Sequence, residues 1–166
     1  MRAAPSARWL WLALAVLAAD RATKYAVERF TTENFRRELI PEFAALVHSR
    51  NTGIAFGWFA DSEVPWLSAT LLLVSFAVVF LLAWLLFAGR VSGALAQVGL
   101  ALIAGGAAGN LLDRLLYRAV TDFLELHAGR FYWPAFNLAD SAITVGAVLA
   151  GIEIIRGDSR PTTTPG

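Results

Sequence analysis

From Val64 to Gly89 the chain runs for 26 residues without a charged side chain, and after Arg90 it runs for another 22, Val91–Leu112. A helix needs about 20 mostly apolar residues to cross a bilayer, so both stretches are long enough. In lipid the backbone must satisfy its own hydrogen bonds, so such a stretch is a helix. A third stretch, Phe131–Ile152, is broken only by Asp140. A fourth, Trp9–Ala19, is 11 residues and reaches spanning length only if the helix continues through Asp20 and Lys24 to about Tyr25. The reading is one membrane domain over 1–166 with four transmembrane helices, near 7–26, 64–88, 92–113 and 136–155. A rival treats the first stretch as a cleavable signal peptide, with Arg2 and Arg8 as its basic start. Asp20 and Lys24, four residues apart with the acid first, favour a continuing helix instead.

Composition agrees. Hydrophobic residues make up 57% and charged residues 16%, where a soluble domain has about 45–50% and about 25%. A domain this small cannot hide such an excess, which argues against a soluble fold and excludes disorder. A net charge of +1 argues against a nucleic-acid partner. The absence of cysteine excludes disulfides, thiolate metal sites and a cysteine nucleophile. With only His48 and His127, a multi-histidine metal site is not expected, and neither is a cofactor. Both histidines are expected at the surface or membrane interface, with no role.

The loops are unequal. A few residues around Arg90 join the second and third helices, whereas about 27–63 and about 114–135 form long loops on one shared side. Leu39–Phe59, with Pro41, Asn51 and Gly53, reads as short strands and turns. Residues from about 157 to 166 read as a disordered tail. The long-loop side carries nine Lys and Arg against five on the other. By the positive-inside rule, the long loops would be cytoplasmic.

Charged side chains in a bilayer cost about 2.5–3.5 kcal/mol each, so they are functional candidates. They form clusters near the long-loop ends of the helices: Asp20 with Lys24; Asn110, Asp113 and Arg114; Asn137, Asp140 and Ser141. Asp122 adds an acid within the apolar run Val120–Leu124. Gly105, Gly106 and Gly109 are read as helix-packing residues. Neither histidine has a serine in a nucleophile context, and metal ligands are few. Two facing carboxylates need neither: one takes a proton from water while the other, still protonated, polarises a carbonyl. Asp20, Asp113, Asp122 and Asp140 are the candidates, and spacing does not choose between them.

Five blocks then come together: Asp20–Lys24, Asn51–Phe56, Gly105–Arg114, Val120–Phe123 and Phe136–Ser141. Their order and spacing resemble bacterial lipoprotein signal peptidase (signal peptidase II). The resemblance implies a four-helix aspartic endopeptidase of the bacterial inner membrane, with a small periplasmic β-cradle and a short amphipathic helix. It implies cytoplasmic termini, against the charge count, and an active site near the periplasmic face. The implied substrates are diacylglyceryl-modified prolipoproteins, cut just before the lipidated cysteine. Membrane lipid is the other implied partner, with no obligate protein partner. The catalytic dyad falls on Asp122 and Asp140. Asp20, Lys24, Asn51, Gly53, Asn110, Asp113, Arg114 and Asn137 fall on supporting or substrate-binding positions. Ile54 and Gly57 depart from the usual Ala and Ser.

Asn51–Phe59 is expected to hold the extended substrate by strand addition. Trp58, Phe59, Trp66, Tyr132 and Trp133 suit an aromatic belt. Two other classes compete. A proton- or ion-coupled transporter subunit would use the buried acids as a relay, but no inverted repeat is visible and the polar residues collect at one face. A non-catalytic scaffold leaves the acids unexplained.

Overall fold

The computed structural model describes residues 7–52 and 65–158. Four helices, α1 (Ala7–Phe30), α2 (Pro65–Phe87), α3 (Ala94–Tyr117) and α4 (Leu138–Asp158), accompany four strands, β1 (Arg36–Ile40), β2 (Ala44–Asn51), β3 (Val120–Ala128) and β4 (Phe131–Phe136). Among the described residues three helices are long and apolar enough to cross a membrane: Ala69–Phe87, Ala94–Tyr117 and Leu138–Arg156. The short amphipathic helix has no counterpart among the described residues. Gly53, Phe56, Trp58 and Phe59, with most of the expected peptide-holding segment, lie outside them, as does the expected tail beyond Asp158.

Helix α3 is the hub, with α1, α2 and α4 all packed on it. Small residues make this possible. A Cβ on Gly99 would stand 2.5 Å from the Gly146 carbonyl oxygen, and one on Gly146 would meet the Gly99 oxygen at the same distance. The α3 and α4 backbones therefore touch, as in small-residue membrane helix contacts. Helix α2 is apolar on every side and exposes Leu73, Phe76 and Phe80, the pattern of a helix facing lipid. The largest fully buried side chains are Lys24, Asn137, Thr121, Asp20 and Asp113. Large polar side chains thus lie inside, beside a core of mostly small apolar residues, while many large apolar ones lie outside.

The strands form one antiparallel sheet in the order β1-β2-β3-β4. Two expectations are corrected here. The segment after α3 is not a loop: α3 runs on to Tyr117, ends at Arg118 in the left-handed conformation, and leads into the β3–β4 hairpin. The hairpin reverses at Gly129, whose φ of 59° suits glycine. Pro134 lies in β4, an edge strand, where its missing N–H costs no ladder bond. The histidines are also not at the surface. His48 and His127 are 5% and 8% exposed within the sheet, His48 beside the Thr31 hydroxyl and His127 stacked on Tyr132.

Candidate active site

The hairpin carries Asp122 to the start of α4. Leu124 pairs with Phe136, so Asp122, two residues earlier on β3, lies level with the entry to α4 just beyond Phe136. Here Asn137 caps the helix. Its Oδ1 accepts from the Asp140 N–H (2.9 Å), and its own N–H donates to Asp140 Oδ2 (3.2 Å). This reciprocal pair is a capping box, which satisfies two N–H groups at the helix start and fixes the Asp140 rotamer. The Asn137 amide also donates to Asp122 Oδ1 (2.7 Å). One residue thereby holds both carboxylates, Asp122 by its side-chain amide and Asp140 by its backbone N–H. Asn110 donates to Asp140 Oδ1 (2.8 Å), and Asn51, diagonal to Asp122 across the β2–β3 ladder, donates to Asp122 Oδ2 (3.1 Å).

Asp122 and Asp140 line one cavity of about 670 Å³, together with Asn51, Asn110 and Arg114. Its remaining wall is largely apolar, including Leu71, Val74 and Val78 of α2 and Ile143 and Val145 of α4. Asp122 is 3% exposed. Burial, and after it the Asp140 carboxyl, lift its carboxyl from an ordinary 3.8 to about 7, against the opposing pull of the Asn51 and Asn137 amides. Among the described residues neither acid forms an ion pair.

A second acidic group lies behind the first. Lys24 Nζ stands 2.9 Å from Asp20 and 3.0 Å from Asp113, all three side chains fully buried. Arg21 also bonds Asp113, whose other oxygen accepts from the Thr121 N–H. Asp20 Oδ1 accepts from the Ala139 N–H (2.9 Å), supplying a further cap to α4 from α1. Lys24 donates to Asn110 Oδ1 (2.8 Å), which turns the Asn110 amide nitrogen toward Asp140. Asp113 does not line the cavity. Asp113 meets Arg21, Lys24 and Thr121 and not Arg114, its neighbour in sequence, because neighbours in a helix point about 100° apart. Arg114 reaches Ser75 of α2 instead, at 3.5 Å.

Nine of the ten expected site residues are thus placed: Asp122, Asp140, Asn51, Asn110 and Arg114 line the cavity, Asn137 is buried and bonded to both Asp122 and Asp140, and Asp20, Lys24 and Asp113 lie behind. Gly53 lies outside the described residues. The sequence reading missed Arg21, Glu28, Arg50 and Thr121. Glu28 was within reach, because it continues the step of four from Asp20 and Lys24 along one face of α1.

The signature for signal peptidase (SPase) II matches residues 12–156. The chain is 43% identical over 155 residues to a lipoprotein signal peptidase of Solibacter usitatus, covering 92% of this chain and 94% of that one. It is 44% identical over 151 residues to the lipoprotein signal peptidase of Pseudomonas putida, covering 89% and 86%. A solved bacterial membrane enzyme superposes with a TM-score of 0.80 at 25% identity, covering 93% of this chain and 97% of that one. Another superposes at 0.83 with 24% identity, covering 99% and 98%. The fold and matches define a membrane-associated peptidase. The chain belongs to the signal peptidase II family. The transporter reading finds no support.

Proposed function

We infer that this chain removes the signal peptide from prolipoproteins, and we propose that it does so as an aspartic endopeptidase. The cut falls just before the diacylglyceryl-modified cysteine. The observation that carries the chemistry is Asn137, whose side-chain amide holds the Asp122 carboxylate and whose backbone N–H holds that of Asp140, both acids lining one largely apolar cavity.

Two carboxyls lining one cavity and bonded to the same asparagine can work as a coupled pair, one accepting a proton while the other donates. The raised value of Asp122 supports this. The ionised carboxylate takes a proton from water, and the resulting hydroxide attacks the scissile carbonyl carbon. The protonated carboxyl donates to the carbonyl oxygen as it gains charge. Collapse of the tetrahedral intermediate breaks the C–N bond, and the leaving amine of the cysteine takes a proton from the dyad. Asn110, Asn137 and Asn51 hold the carboxylates in place before substrate arrives, so little of the barrier goes into reorganisation. The apolar wall suits the acyl chains and signal helix of the substrate, and the adjoining sheet suits an extended peptide.

Helix α1 acts as the fourth span. Its 24 residues reach about 36 Å at 1.5 Å per residue. Asp20 and Lys24 face α3, while Trp11, Leu14 and Tyr25 are exposed. The termini are cytoplasmic and the site is near the periplasmic face of the inner membrane. Of the nine cations on the sheet side, Arg21, Lys24, Arg36 and Arg50 are ion-paired with acids, which weakens the charge count that opposes this orientation. The test is cleavage of a lipidated prolipoprotein peptide by the purified chain in detergent, with products identified by mass. A product beginning at the lipidated cysteine is expected. Cleavage elsewhere, or equal cleavage of the unlipidated peptide, would overturn the reading.

A further inference from the structure

Thr121, next to Asp122 on β3, is fully buried, and each of its polar groups is bonded. Its N–H donates to Asp113 and its carbonyl accepts from Asn137. Its hydroxyl accepts from Arg50 Nη1 of β2 (3.0 Å) and donates to Glu28 Oε1 of α1 (2.7 Å). Glu28 is itself held by Arg21 at 3.4 Å and Arg50 at 3.7 Å. Arg50 lies over the Tyr117 ring at the end of α3, 4.6 Å from its centre. Glu28 and Thr121 therefore join α1 to the strand that carries Asp122, one residue from that acid. Neither lines the cavity, so neither reaches substrate there.

We propose that Glu28 is a positioning residue, acting through the Thr121 hydroxyl to set where Asp122 stands relative to Asp140. The proposal rests on the dyad reading. Backbone bonds fix Thr121 along β3, but only the hydroxyl ties it to α1, the helix whose Asp20 and Lys24 orient Ala139 and Asn110 beside Asp140. The Glu28–Thr121 bond thus references one acid to the frame that holds the other. A displacement of even 1 Å at the dyad is costly to turnover, while a cavity of this size still admits substrate.

The charged groups around Asp122 are Asp140 of α4, Lys24 of α1 and Arg114 of α3; around Glu28 they are Arg21 and Arg50. Freed from the tie, Asp122 moves toward water and away from Asp140. Both influences that raise its carboxyl weaken, and the alkaline limb of the rate profile moves to lower pH.

The test uses full-length chain in detergent, normalised to folded protein, with lipidated prolipoprotein peptide. Thr121→Val keeps the shape and the strand preference and removes only the hydroxyl. It should lower kcat roughly tenfold, the worth of a buried hydrogen bond to a charged group, with KM changed less than about twofold. Its alkaline limb should shift down, and Thr121→Ser should restore both. Glu28→Ala should match Thr121→Val in kcat and pH limb, and the double variant should turn over no more slowly than either, since the Glu28–Thr121 bond is common to both losses. Glu28→Gln keeps an acceptor and should lose less; if Glu28→Ala does not fold, Gln and Val carry the comparison. Unchanged kcat and pH profile in Thr121→Val, or additive losses in the double variant, would overturn the proposal. Activity in Asp122→Asn would instead overturn the dyad beneath it.

Discussion

Asp113 and Asp122 are both buried acids near the end of α3, and they live in opposite surroundings. Asp113 is enclosed by Lys24, Arg21 and the Thr121 N–H, with its charge matched by cations. Asp122 is bound by two neutral amides, Asn51 and Asn137, beside another acid and a cavity. Asp113 is bound by cations and does not line the cavity, which makes it part of the frame. Amides fix position without neutralising charge, so burial and Asp140 can raise Asp122 to about 7. The identity of the partner, more than burial, separates an acid that supports a site from one that can exchange protons in it.

The largest test of that contrast is on the amide-held side. Asp140→Asn, or Asp122→Asn, keeps size and hydrogen bonding but removes the titrating group. Either change should reduce cleavage by roughly 10⁴-fold or more, and the double variant should be no worse, because the pair acts as one unit. Substrate should still bind, as measured with labelled lipopeptide.

On the cation-held side, Lys24→Met should act on the fold. It strands Asp20 and Asp113, both without solvent access. Breaking such a buried pair costs about 3–5 kcal/mol. The expected result is a lower folded yield and an earlier thermal transition in detergent, with the surviving folded protein still active. An unchanged transition would show that Lys24 is no keystone of this knot.

A smaller effect falls on Asn51. It was expected to hold peptide, yet it donates to Asp122. Asn51→Ala should therefore lower kcat about tenfold as well as weaken binding, the cost of one charge-assisted bond. That bond favours the ionised form of Asp122, so its loss should raise the alkaline limb above its parental position near pH 7. The shift is opposite in sign to that expected of Thr121→Val. A pure KM effect with an unmoved limb would return Asn51 to peptide holding alone.

What could be read from the sequence follows from what lipid enforces. A spanning helix must be long and apolar, so α2, α3 and α4 announced themselves within a few residues of their ends. The polar clusters stood out for the same reason. The partition among them was not legible, because it depends on helix rotation and on strand register. Asp113 and Arg114 are adjacent in sequence but face different partners. Asp122 reaches Asp140 through a hairpin whose turn sits at Gly129, a single glycine less conspicuous than Pro134. Thr121 drew no role of its own within the block Val120–Phe123, since nothing local signals that Glu28, 93 positions earlier, meets its hydroxyl. His48 and His127 were not legible as buried because burial along β2 and β3 does not alternate cleanly.

The most direct measurement compares Asp122→Asn with Asp113→Asn. Cleavage of the lipidated peptide is followed at one pH with equal amounts of folded protein. The account predicts no detectable cleavage by Asp122→Asn. Asp113→Asn should stay within about tenfold of the parent, because it keeps an acceptor for Lys24 and alters only the frame. Cleavage by Asp122→Asn, or its loss in a well-folded Asp113→Asn alone, would contradict the assignment of the catalytic pair.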